Sequence, residues 1–266
     1  MAAQIQTLYP QAWPETIRGL LVHSADWTEQ MKQDFLEHPS KRIKGEYADL
    51  LRICGFGVPD LNRAKECVTN SLTLIVQETL QPFEKHKSRI RTKDMHIHEI
   101  PWPVEVLRGL GEMEIKLRIT LSYFVEPGPG EVGWKDRYRY PSHALRFRMI
   151  LPTEERDEFV KRLNAAARED GEELDSSDRS KRWTIGPNGR DLGSIHSDIW
   201  AGTAAEIAAC NLIGIYPVTG WWKERSHLGY WNKKTRYSLI VSISTPEQTV
   251  DLYTPVAIRL KVPIEV

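Results

Sequence analysis

The segment EIKLRITLSYFV, residues 114–125, decides the fold class. Ile115, Leu117, Ile119, Leu121 and Tyr123 alternate with Lys116, Arg118, Thr120 and Ser122. A period of two sends one set into a core and leaves the other on a wet face, the pattern of an antiparallel strand. Downstream, Pro127-Gly128-Pro129-Gly130 breaks the chain. Ala144 to Leu151 then resumes with Leu145, Phe147 and Met149 on one side and Arg146 and Arg148 on the other, so two strands face a common core. Further strands are expected at Ser71–Val76, His96–Ile100, Trp183–Ile185, Leu212–Val218, Tyr237–Ile243 and Val250–Val262, separated by Gly, Pro and Asn. Thr153 opens an inserted amphipathic helix with Glu154 and Glu155 in its first turn and Phe159, Leu163 and Ala166 on one stripe. Glu169 to Asp178 reads as an exposed flexible loop, and no fixed-period repeat is present.

Ahead of the strands the texture is helical. Pro14 sits in the first turn of a helix running to about Ala25, with Ile17, Leu20, Leu21 and Ser24 on one face. Met1 to Leu8 reads as the tail of another helix, stopped by Tyr9-Pro10 and lacking a start signal. Ala2, Ala3, Ile5 and Leu8 need a partner surface, so the chain is expected to begin in the middle of an element. Gly55-Phe56-Gly57-Val58-Pro59-Asp60 is a loop entering a short helix through Asn62, Arg63, Ala64 and Cys67. The expected class is α+β: helices over residues 1–67, then an antiparallel β-sandwich, jelly-roll-like, over residues 68–266 with the inserted helix.

Composition bounds the function. With 266 residues and 41% hydrophobic content the chain buries a sizeable core and is not disordered. Thirty-six basic side chains balance thirty-six acidic ones, so the basic footprint of a nucleic-acid binder is missing overall and no nucleic-acid partner is expected. No run approaches the ~18 apolar residues of a membrane helix, and the N-terminus lacks an export signal. A soluble, cytoplasmic chain without a membrane partner is the expectation. Cys54, Cys67 and Cys210, odd in number and not closely paired, read as reduced buried thiols.

Four constellations carry potential chemistry. His96 and His98 share a strand face within reach of one metal ion, but no third ligand is identifiable, and neither a metal nor a cofactor is expected. Ser194-Ile195-His196-Ser197-Asp198 holds the residue types of a catalytic triad, yet a triad is assembled in space and adjacent residues do not form its relay; it reads as a turn. Trp222, Lys223, Arg225, Tyr230 and Trp231 form an aromatic-basic candidate surface for a glycan, a peptide or a single-stranded nucleic acid, with sandwich core and a hairpin loop as the alternative reading and Trp221 and Trp222 alternating to opposite faces. Arg137-Tyr138-Arg139-Tyr140 reads as a protected strand edge.

The order of elements resembles the end of a subtilisin-like serine peptidase domain. The matching pieces are the truncated helix with Tyr9-Pro10, the helix PETIRGLLVHSA (residues 14–25) closing on His23-Ser24-Ala25, and Gly55-x-Gly57-x-x-Asp60. LRITLSYFVEPGPG (residues 117–130) and HALRFRM (residues 143–149) look like the β-sandwich appended to many bacterial subtilases. The resemblance implies acyl transfer by Ser, His and Asp, all of which would precede Met1. Gly202-Thr203-Ala204-Ala205 imitates the nucleophile segment but has Ala204 where the hydroxyl would stand. The chain alone is therefore expected to carry no catalytic residue and no peptidase activity. Its implied partner is the remainder of the peptidase domain, in cis or in trans, against residues 1–25, and it meets a protein substrate only when complete. Two alternatives stand beside this: a free-standing β-sandwich binding module with its site near Trp222 and Trp231, and one half of a split peptidase.

Overall fold

The computed structural model describes residues 1–38, 41, 43–65, 71–128, 140–168 and 182–245. Helices α1 (Ala2–Leu8), α2 (Pro14–His23), α3 (Glu29–Phe35), α4 (Lys44–Cys54) and α5 (Leu61–Lys65) come first. The β region runs β1 (Ser71–Leu80), β2 (Phe83–His86), β3 (Arg89–Thr92), β4 (His96–Glu99), α6 (Val104–Leu110), β5 (Glu114–Tyr123) and β6 (Ala144–Met149). It continues with α7 (Arg156–Arg168), α8 (Pro187–Arg190), β7 (Ile195–Thr203), α9 (Ala204–Ala209), β8 (Leu212–Val218), α10 (Trp221–Glu224) and β9 (Thr235–Ser244). One antiparallel sheet has the order β1-β9-β5-β7 and a second β4-β8-β6, while β2 and β3 form a separate hairpin. The class is α+β.

Both sheets feed one core. Leu117, Ile119 and Leu121 of β5 and Leu239, Val241 and Ile243 of β9 meet Leu145 and Phe147 of β6 and Ile213 and Ile215 of β8, and all are buried. Each such side chain contributes about 1.5–3 kcal/mol relative to an exposed position. The inserted helix α7 adds Phe159 and Leu163 to the same core.

The second face of β5 is exposed at Lys116, as expected, but departs from expectation further along the strand. Thr120 and Ser122 are buried beneath α2, and Arg118 reaches up to donate from Nη1 to the His23 carbonyl at 2.8 Å and to the Ala25 carbonyl. A cation at the C-terminal end of a helix satisfies its orphan carbonyls and complements its dipole. At the other end α2 has no side-chain cap of its own. Gln77 of β1 supplies one, its Oε1 accepting from the Trp13 amide and the Thr16 hydroxyl at 2.6 Å each. Between these ends, a Cβ at Gly19 would stand 2.8 Å from Ile240 Cδ1, so glycine lets the helix lie close on β9. Ile5, Ile17, Leu20 and Ala64 are buried together with Ile240. The partner surface that residues 1–25 lack in the sequence is supplied for these side chains by the chain's own sheet.

Local departures have local causes. Trp183–Ile185 is not a strand but carries an isolated bridge, Trp183 to Trp200. Ser194–Asp198 is not a turn, because residues from Ile195 onward pair with β5 along its length. Trp221 and Trp222 lie in a helical turn, where adjacent side chains need not face opposite ways, and both are buried. Arg148 does not point to solvent: it is buried on Asp191 at 3.0 Å. Cys210 is buried, which pushes its thiol up to about 12, whereas Cys54 is only half-buried. Cys67, Glu169–Asp178, Arg137–Arg139 and Val250–Val262 lie outside the described residues. Among the described residues, no helix is long and apolar enough to cross a membrane.

Candidate functional site

The aromatic-basic residues singled out from the sequence gather at one end of the molecule, mostly as packing. Phe83, Trp221 and Trp222 form a buried cluster against Ile90, Tyr230 and Trp231. Trp222 stacks on His143, with ring centroids 4.8 Å apart. Lys233 Nζ lies 5.6 Å from the Trp222 ring and 4.1 Å from that of Tyr230, so the cation position over these rings is filled from within the chain. Glu126 holds Lys233 there at 2.9 Å. Of the five residues, Trp222 is sealed, while Lys223, Arg225, Tyr230 and Trp231 are half-buried.

Beside this cluster a cleft of about 470 Å³ opens between the β2–β3 hairpin, the C-terminal half of α7 and α10. Arg91, Lys93, Arg168 and Lys223 line it with Asn164, and Glu84 is the one acidic side chain among the lining residues described. Glu84 Oε1 accepts from Arg91 Nε at 2.6 Å, and Lys93 donates to Gln81 Oε1 at 2.9 Å. The balance of charge suits an anionic or carboxylate-bearing ligand. Lys223 joins the cleft to the aromatic cluster; the cations of β3 and α7 are scattered through the sequence in no motif.

The Ser/His/Asp residue types are spread apart and closed off. His23 bonds Thr120 Oγ1 at 2.9 Å and Ser242 Oγ at 2.8 Å, and Thr120 bonds Ser197 Oγ at 2.8 Å. Burial, helped by Arg118, holds the His23 pKa well below its ordinary value, and none of these three hydrogen bonds reaches a carboxylate. His196 turns Nε2 to the Gly193 carbonyl at 3.2 Å; burial lowers its pKa to about 4 despite nearby Asp191. Asp198 accepts from the amides of Ile185, Gly186 and Ile199 at 2.8–2.9 Å and faces Arg190 Nη1 at 3.4 Å. Its carboxylate is thus a structural acceptor fixing the 185–186 segment on β7. Ser142 Oγ meets His143 Nδ1 at 3.0 Å, and burial pushes that imidazole down to about 3. None of these pairs has the acid–base–nucleophile relay of a hydrolase. Thr203, in the segment imitating the nucleophile motif, instead caps α9 in a reciprocal box with Glu206.

His96 and His98 do have a third companion. Tyr237 Oη lies 2.7 Å from His96 Nδ1 and 2.7 Å from His98 Nε2. It comes from β9, 139 positions beyond His98, a pairing that no local motif announces. A different grouping, Glu37, His38 and Glu46, places three ligand atoms within 4.8 Å of one another near the surface.

Comparison with protein-family models, with curated proteins and with solved structures finds no match for this chain. Its functional reading rests on its own residues.

Proposed function

We propose that the chain is the C-terminal, non-hydrolytic portion of a subtilisin-like serine endopeptidase whose Ser/His/Asp triad lies outside it. The observation that carries this reading is the meeting of the two motif segments on which the resemblance turns. The Asp26 and Val58 backbones form an antiparallel bridge, with N···O distances of 3.1 and 2.9 Å. This ties the end of the PETIRGLLVHSA segment to the GFGVPD loop about thirty residues later. Gly57 takes φ +88° there, and a Cβ on it would stand 2.2 Å from the Asp26 carbonyl oxygen. The glycine spacing thus serves a close backbone approach between those two segments.

The remainder of the peptidase domain, in cis or in trans, is the proposed partner of residues 1–25. Ile17 and Leu20 are already covered, so the large apolar side chain of residues 1–25 left exposed for it is Leu8 of α1, with exposed Val58 bridged to Asp26 at the end of that segment. A protein substrate would be met only by the complete enzyme. Treating the purified chain with a fluorophosphonate probe tests the non-hydrolytic half: no serine is labelled. Adding the polypeptide encoded upstream then yields a labelled serine on that polypeptide. A labelled serine in the chain alone would overturn the proposal.

A second reading, a non-catalytic binding module, draws on the basic cleft at Arg91, Lys93, Arg168 and Lys223. An acidic peptide saturating that cleft, and lost on Arg91→Glu, would favour it.

A further inference from the structure

Building on the binding-module reading of the basic cleft, on which the inference rests, we propose that Arg91, Lys93, Arg168 and Lys223 together bind the joined phosphate groups of a small organic diphosphate. The cleft measures about 470 Å³, within the roughly 300–1,000 Å³ of a small-molecule site. Three parts of the chain converge on it. The second strand of the hairpin and the residue after it bring Arg91 and Lys93, α7 ends on Arg168, and α10 brings Lys223.

These cations are held in position by their neighbours. Glu84 is paired with Arg91 across the hairpin; its Oε1 accepts from Arg91 Nε at 2.6 Å and lies 2.6 Å from Nη2, which fixes one edge of the guanidinium. Lys93 Nζ donates to Gln81 Oε1 at 2.9 Å, and a neutral acceptor orients the ammonium without cancelling its charge. Thr92 Oγ1 donates to the Ala167 carbonyl at 3.4 Å, tying the hairpin to the end of α7 where Arg168 stands. Lys223 directly follows Trp221 and Trp222, both buried in the aromatic cluster, so its backbone is anchored.

Charge and polarity select the ligand. Among the described lining residues four cations face one carboxylate, and like charges gathered around one space repel until an anion enters it. A single phosphate ester brings about −1.5 to −2 charges, short of that excess, whereas two joined phosphates come close to it. Guanidinium and ammonium donors both suit phosphate oxygens. Ile90 and Met95 belong to the same lining and are packed on the aromatic cluster and on the main core, so they give the organic part of the ligand an apolar wall.

The test titrates the full chain with inorganic pyrophosphate in a calorimeter, in metal-free buffer at fixed ionic strength. One equivalent is expected to bind, with orthophosphate at least tenfold weaker and the pyrophosphate affinity falling as KCl is raised. Lys93→Gln and Arg168→Gln, both at exposed positions, each lower the affinity at least fivefold while the circular dichroism is unchanged. Lys161→Gln removes an exposed cation of α7 that does not line the cleft, and leaves the titration unaltered. Absence of saturable pyrophosphate uptake, orthophosphate binding as tightly, unchanged affinity in Lys93→Gln and Arg168→Gln, or an equal loss in Lys161→Gln would each overturn the proposal. An acidic peptide bound by a chain that takes up no pyrophosphate would overturn it and leave the binding-module reading standing; failure of both ligands would overturn both.

Discussion

Replacing Leu20 by Ala tests whether the N-terminal helices and the β region are one structure. Leu20 is 1% exposed and Ile240 is fully buried in the same cluster. If α2 sits on β9 as described, Leu20→Ala leaves a cavity bounded by Ile5, Ile17, Ala64 and Ile240, which the sheet side cannot collapse to fill. Such truncations cost about 2–5 kcal/mol. The tethers at Gln77 and Arg118, with Arg18 Nε donating to Ser122 Oγ at 3.1 Å, keep the helix from tilting into the void, placing the expected loss near 3 kcal/mol. Ile240→Ala on the sheet side should cost a similar amount. The double variant should fall short of the sum by about 0.5–3 kcal/mol, because the two deletions share one cavity. Urea unfolding read by tryptophan fluorescence, with the m-value checked for constancy, measures all three. A loss below about 0.5 kcal/mol for Leu20→Ala, the range of ordinary surface substitutions, would refute the packing. So would strict additivity with Ile240→Ala.

Further expectations are as direct. Gly57→Ala meets both a positive φ and the Asp26 backbone at 2.2 Å, and should lower stability by at least about 3 kcal/mol. Gly45→Ala, inside α4 with nothing within 4 Å, should raise it by roughly 0.5–1 kcal/mol; thermal denaturation of the two variants side by side checks the contrast. Acid should weaken the fold well above the carboxylate range. Unfolded imidazoles take protons near pH 6.5, whereas buried His143 and His196 take them only near 3 and 4. The unfolded state therefore binds more protons between those values. Stability is full above about pH 6.5 and falls by up to about 1.4 kcal/mol per pH unit for each such histidine as the pH drops toward 4. Asp191 is pulled below its usual range: burial pushes it up, but Arg190, Arg148, His196 and Arg146 outweigh that. Its contribution is present above about pH 4 and lost only as the pH falls through its lowered folded value. Denaturation profiles at pH 7, 5.5 and 4.5 should show most of the decline already present at 4.5; constant stability down to pH 4.5 would contradict the burial of these imidazoles.

The strands and the first helices were legible because their signals are local. The alternation of Ile115 to Tyr123 and the glycine-punctuated loop at 55–60 can each be read without knowing what lies opposite. Which strand pairs with which was not legible. Neither the order β1-β9-β5-β7 nor the seating of α2 on the outer face of β5 and β9 leaves a trace in a single segment. Thr120 and Ser122 read as solvent-facing because small hydroxyls suit both water and a close helix contact. Trp221 and Trp222 read as an open platform because aromatic content is the same whether rings are exposed or packed; Phe83 and His143, distant in sequence, close them off. The third member of the histidine pair, Tyr237, was invisible for the same reason.

The proposal that this chain is the C-terminal portion of a subtilisin-like peptidase is tested most directly by reading the genomic DNA preceding the Met1 codon in all three frames. The account predicts the Asp, His-Gly and Gly-Thr-Ser segments of a subtilase, in that order, in frame or behind one frameshift. Unrelated sequence there would contradict it and leave the basic cleft beside Lys223 as the place to look for a ligand.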